Sequence, residues 1–393
     1  MTYSIKKMFK MTIFPIFSLT LVMMAVSFFE TFVSLRLSGQ NFNAFIAALI
    51  YSSYYAGMLL GGLCVEKVIQ KLGQAHTFIL CAAAISTIIS IQSFTSPTVL
   101  WALFRLFHGM LVAGLFVSIE SWPLLLFPRA RGIVLAFYMI GLYTANSIGQ
   151  FGIAAVPMHT SHPFNLILIF TSLSIIPICF VRNHSPGLEK SEYLSVFKLY
   201  TKTPLGFLGN LFAGLLLGAF YTTGPICGKL SDFTMVEISF FMATTIFGGM
   251  LMQWPIGKLS DIIERRLVII LICTLIIIFS ITAIVAFPMS YGTKLIVQFL
   301  FGGMLFTLYP VCITYCCDFL PDKDITSVAA AGLVNYGIGS IFGPAIALFF
   351  LKIMGPRGFY IYTALLGFAL LLFAFTFAKQ KKNPYSRADT PNL

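Results

Sequence analysis

Charge is what this chain has least of. Charged residues fill 10% of 393 positions, against about 25% in a soluble domain. Only thirteen of them are acidic. The eight cysteines have neither CxxC spacing nor nearby histidines. A disulfide scaffold and a zinc site are therefore not expected, and small apolar packing residues are the better reading. A GxxxxGK[ST] loop and an HExxH helix are both missing. ATP-driven transport and zinc hydrolysis find no support, no cofactor or metal is expected, and the chain is not read as an enzyme. No connection is long enough to hold a separate soluble domain. The basic, apolar N-terminus lacks a small-x-small cleavage site and reads as a retained first helix.

What the chain has is apolar surface. Hydrophobic residues make up 58%, with 41 phenylalanines. No core hides this much from water, so lipid must cover the rest. Twelve apolar runs follow, near 12–34, 43–63, 76–95, 98–120, 132–155, 164–181, 203–226, 237–257, 267–288, 293–316, 325–350 and 358–378. Open strands would leave backbone groups unsatisfied in lipid, so these are helices. The fold class is an all-α membrane protein of twelve transmembrane helices.

Lysine and arginine set the orientation. With the N-terminus inside, nineteen of 25 fall in inner segments and five in outer ones. Both termini are expected in the cytoplasm, in the inner membrane of a bacterium. The net charge of +12 is thereby topology. Nucleic acid is not expected as a partner; anionic lipid is a secondary one.

The chain also repeats. Gly62 to Lys67 matches Gly257 to Asp261; Arg105 to Gly109 lies over Gln298 to Gly302, and Gly149-Gln150 over Gly343-Pro344. A repeat of half the length joins two pseudo-symmetric six-helix bundles head to tail. The expected division is 1–181, a cytoplasmic linker 182–202, and 203–393. A substrate site belongs between such halves.

Buried charges are the candidates for chemistry, because an unpaired charge in the bilayer costs several kcal/mol. Glu30 lies in the first span, Arg105 and Glu120 in the fourth, and His108 is a titratable neighbour. Glu30 and Arg105 differ in depth by about 5 Å, so a pair is allowed if their helices adjoin. Ligand or proton handling and a structural ion pair are both open readings. Arg105 hints at an anionic ligand, although Glu30 would already neutralise it. Glu120 is either a buried proton carrier or a group meeting cytoplasmic water. A second layer holds Tyr51, Tyr54, Tyr55, Tyr138, Tyr143, Asn146, Gln150, Asn210, Tyr221, Tyr309, Asn335 and Tyr336. Each serves a ligand or bonds between helices. Tyr143, Asn146, Tyr221, Tyr309 and Asn335 join Glu30, Arg105, His108 and Glu120 as expected substrate or proton contacts.

Several of these residues resemble a known family. Gly257, Asp261, Arg265 and Arg266 look like the loop motif of the major facilitator superfamily; Glu66 with Gln70-Lys71 is its degenerate first copy. Arg105-x-x-x-Gly109 is similar to its helix-4 motif. Gly339 to Pro344 resembles its glycine–proline motif but sits in the eleventh span, so it does not establish antiport. Glu120-Ser121-Trp122, Arg131-Gly132 and Gly149-Gln150 resemble the YcaD-like branch more narrowly. The resemblance spans nearly the whole chain. It implies alternating access, with spans one, four, seven and ten lining the cavity. Gly257, Asp261, Arg265, Arg266 and Glu66 would form an inner conformational latch. A secondary transporter of a small organic solute is the reading, coupled to protons and monomeric. A passive facilitator and a non-transporting receptor are the alternatives.

Overall fold

The computed structural model describes residues 5–38, 44–95, 99–126, 131–157, 162–181, 196–286, 288–320 and 325–376. Every described element is a helix. The first group comprises α1 (Ile5–Ser38), α2 (Ala44–Leu72), α3 (Gln74–Ser93), α4 (Val99–Leu126), α5 (Arg131–Gly149), α6 (Gly152–Ala155), α7 (His162–Leu173) and α8 (Ile175–Cys179). After α9 (Val196–Lys202) come α10 (Pro204–Leu230), α11 (Met235–Ile262), α12 (Arg265–Val285), α13 (Tyr291–Cys317), α14 (Ile325–Met354) and α15 (Arg357–Thr376). Each of the twelve expected runs falls on helix. Among the described residues ten helices are long and apolar enough to cross a membrane, and α2 holds a shorter apolar stretch, Leu49–Val65.

Two runs are interrupted. The fifth breaks between α5 and α6, where backbone bonds tighten to three-residue spacing from Gln150 to Ser147 and from Phe151 to Ile148. The sixth breaks near Ser174, just before Pro177, which has no N–H to offer the ladder. The expected linker is not all loop. Its end, α9, is helical and packs on α10 and α14 with Leu199 buried. Apolar Leu199 gives that segment a side chain to bury, which its polar composition average concealed.

Packing reproduces the repeat. In the first group α2 lies on α4, α1 on α5, α3 on α7 and α3 on α4; in the second, α11 lies on α13, α10 on α14, α12 on α15 and α12 on α13. The groups meet through α2 with α14, α5 with α11 and α1 with α10. Helices associate in lipid through close van der Waals contact, which small residues permit. A Cβ on Gly57 would stand 1.9 Å from the Leu106 oxygen, and one on Gly109 1.9 Å from the Tyr54 oxygen. The second group repeats this with Gly248 and the Phe299 oxygen, and with Gly302 and the Thr245 oxygen, each at 2.0 Å. Gly149 against Met24 and Gly343 against Leu215 make the α1–α5 and α10–α14 counterparts. Gly62 and Gly257 have nothing within 4 Å of such a Cβ. The packed equivalents Gly57 and Gly248 are 191 residues apart, whereas Gly62 and Gly257 are 195 apart. The loop motif has slipped by about one helical turn relative to the packing that carries the symmetry.

Candidate functional site

Glu30 on α1 and Arg105 on α4 meet. An Arg105 Nη2 donates to Glu30 Oε2, and both side chains are buried. His108, three residues along α4, shares the Arg105 face. Its Nδ1 lies 3.3 Å from Arg105 Nη1. The guanidinium carbon stands 4.3 Å from the centre of the Tyr54 ring and 5.5 Å from that of Phe29. Local sequence explains this enclosure. Gly109, one turn beyond Arg105, lets the backbone of α2 approach α4 at Tyr54, so the Tyr54 ring settles over the cation. Arg105 and His108 are 0% exposed and Glu30 6%. Glu30 Oε1, Arg105 Nε and His108 Nε2 have no hydrogen-bond partner among the described residues.

A polar clamp flanks Glu30. Ser27 Oγ donates to the Asn146 oxygen at 2.8 Å, and Thr31 Oγ1 to Gln150 Oε1 at 2.7 Å. Gln150 Nε2 donates back to the Ser27 oxygen at 3.3 Å. These bonds fix the end of α5, and Gln150 just beyond it, against α1 around Glu30.

Between the two helix groups lies a cavity of about 140 Å³. Glu30, Tyr143, Asn146, Tyr221 and Tyr309 line it, as do Tyr54, Tyr55, Tyr138 and Tyr336. Phe306, Phe116 and three methionines complete much of the wall. Asn146 Nδ2 donates across the groups to the Tyr221 hydroxyl at 3.4 Å, and the Tyr143 hydroxyl to the Phe306 oxygen at 3.5 Å. Toward the face opposite the start of α1, the groups are sewn together. Ser34 Oγ donates to the Thr222 oxygen at 2.6 Å, Ser147 Oγ to the Ala243 oxygen at 2.9 Å, and Ser52 Oγ to the Ile341 oxygen at 2.7 Å.

Not every expected contact reaches the cavity. Asn335 is buried and donates to the Phe207 oxygen; its neighbour Tyr336 takes the wall, about 100° round the helix. Arg105 and His108 lie behind Glu30 and do not line the cavity. The side chains of Glu66, Glu120 and Asp261 lie outside the described residues. Arg265 pairs with Asp318 at the end of α13, and Arg266 Nε donates to the Ala374 oxygen of α15 at 2.8 Å. Both arginines thus bind within their own helix group. Asp318, 53 positions away, was not foreseen as a partner, because a charge near a membrane face has water as an alternative. Phe306, Met23, Met58 and Met139 also escaped the sequence reading. They carry no signal there, since a residue facing lipid and one facing a cavity are equally apolar.

Known proteins agree with this architecture. The pattern of the Major Facilitator Superfamily matches residues 15–335 and again 206–392. The MFS-type transporter YcaD of Salmonella paratyphi B is 27% identical over 373 residues, covering 93% of this chain and 95% of that one. YcaD of Salmonella dublin aligns to the same extent. The nucleoside transporter NupG superposes with a TM-score of 0.76 at 10% identity, covering 94% of this chain and 100% of that chain. The human organic anion transporter TETRAN superposes with a TM-score of 0.72 at 13% identity, over 93% and 99%. At such identities the two solved structures speak for the fold alone. With two family matches spanning the tandem bundles and a cavity where they meet, the chain belongs to the major facilitator superfamily and is a multi-pass membrane transporter of that family.

Proposed function

We propose that this protein is a proton-coupled secondary transporter that carries a small organic solute through the cavity between its two bundles by alternating access. One observation carries the reading. The cavity sits where the pseudo-symmetric bundles meet, and the carboxylate on its wall, Glu30, keeps an oxygen with no partner among the described residues. A transporter needs a site that two rigid bodies can open to either side. The hydrogen bonds of Ser34, Ser52 and Ser147 make the closed gate on one face. The lysine and arginine bias makes that face the outer one, with both termini cytoplasmic. Glu30 is the group suited to exchange a proton, and Arg105 holds it in place. The bundles correspond to residues 1–181 and 203–393, and one chain suffices as the working unit.

The test starts with a ligand. A screen of small organic solutes by thermal shift finds a molecule that stabilises the purified protein. Counterflow of that molecule in proteoliposomes, faster under an imposed proton gradient, is the expected result. Counterflow indifferent to the gradient leaves a passive facilitator. Binding without counterflow leaves a receptor and overturns the proposal.

A further inference from the structure

We propose that the central cavity selects a protonated organic amine with one aromatic or compact apolar body. This substrate class rests on the transport reading of the cavity. An arginine in the membrane hints at an anionic ligand unless Glu30 neutralises it; the lining of the cavity favours the opposite sign. Among the described residues that line the cavity there is no lysine, arginine or histidine. The one carboxylate there is Glu30, 6% exposed, whose Oε1 has no hydrogen-bond partner among the described residues. Arg105, which balances its charge, is 0% exposed. The ring of Tyr54 lies 4.3 Å from that guanidinium and is itself part of the wall, so it covers the cation on the cavity side. A negative ligand would meet a carboxylate oxygen and no facing positive charge. A protonated amine would donate to Oε1, a charge-assisted hydrogen bond.

The rest of the wall suits the same ligand. Seven tyrosines and two phenylalanines line the cavity. Ring faces attract a cation and stack on an aromatic body. Methionines 23, 58 and 139 supply a polarisable surface that adapts to the shape of the guest. The volume of about 140 Å³ limits size: a dry cavity of about 150 Å³ takes one benzene ring. A single ring with a short amine arm fits that scale.

Calorimetry on the purified full-length protein at neutral pH tests the sign with three matched probes. Phenethylamine is cationic, phenylpropanol neutral and hydrocinnamate anionic. Phenethylamine is expected to bind at least about tenfold more tightly than either of the others. Glu30→Gln should erase that preference while phenylpropanol binding stays. Asn146→Asp, which adds a second carboxylate to the wall, should strengthen amine binding and weaken hydrocinnamate. The wild-type series needs no variant, so misfolding of Glu30→Gln does not shelter the idea. Equal or tighter binding of hydrocinnamate or phenylpropanol overturns it, as does no amine binding, or a preference that survives in well-folded Glu30→Gln. Proteoliposome flux separates this outcome from the fate of the transport reading. Amine binding without flux keeps the selectivity and sinks transport; flux of a neutral or anionic solute without amine preference does the reverse.

Discussion

The two bundles use one scaffold for different chemistry. Arg105 stands four residues before Gly109, and Gln298 four before Gly302, each glycine pressed on a carbonyl of the neighbouring helix. Glu30 stands six residues after Met24, and Tyr221 six after Leu215, the two residues against which Gly149 and Gly343 pack. The first bundle therefore places a buried ion pair where the second places an amide and a phenol. Gln298 accepts a hydrogen bond from the Tyr360 hydroxyl at 3.0 Å, a neutral contact inside its own bundle. Glu30 and Tyr221 nevertheless reach the same cavity. Helix packing is common to both halves, while among the described residues buried charge sits in the first alone. A ligand thus meets a charged wall on one side and a mainly aromatic one on the other.

The largest contrast is expected from removing Arg105 and Gln298 in turn. Arg105→Ala leaves Glu30 buried and unpaired and should cost about 3–5 kcal/mol. Gln298→Ala breaks a neutral hydrogen bond and should cost about 1–3 kcal/mol. Thermal unfolding in detergent measures both. Arg105→Ala should also abolish transport. Neutralising both partners, as Glu30→Gln with Arg105→Ala, should recover stability but not transport. Additive losses across that cycle would show that the two residues do not interact.

A smaller and equal effect should come from the packing glycines. Gly109→Ala and Gly302→Ala each push a methyl to within 2.0 Å or less of a carbonyl oxygen. Each should cost about 1–3 kcal/mol through forced separation of two helices. Gly257→Ala meets nothing within 4 Å and should fall within about 0.5 kcal/mol of the parent. Unequal losses at Gly109 and Gly302 would break the symmetry of the packing.

The smallest effect belongs to Arg265 and Asp318. This pair is part-exposed, at 19% and 40%, so Asp318→Asn should cost under about 1 kcal/mol. Transport is the sharper readout. If Asp318→Asn folds normally yet transports poorly, the pair takes part in the motion of the second bundle. Normal transport would make it a local tether.

Much of this was legible in sequence for one physical reason: lipid punishes violations. Apolar runs long enough to cross it had to be helices. Glu30 and Arg105 had to find each other or water, and similar depth made the partner readable. Asp318 was not readable as the partner of Arg265, because a charge near a membrane face has water as an alternative.

The sequence by itself determined the helices, their repeat and the rarity of buried charge, since each follows from what a bilayer tolerates one segment at a time. Only the tertiary structure decided which faces line the cavity. Neighbouring Asn335 and Tyr336 divide between a backbone contact and the cavity wall, because packing of α14 on α10 sets the rotation of the helix. It also decided that Glu30, and not Arg105, lines the cavity. Gly109 lets α2 approach α4 until the Tyr54 ring covers Arg105, which leaves Glu30 as the charge on the cavity wall. That outcome depends on contact between helices distant in sequence, and no single segment encodes it.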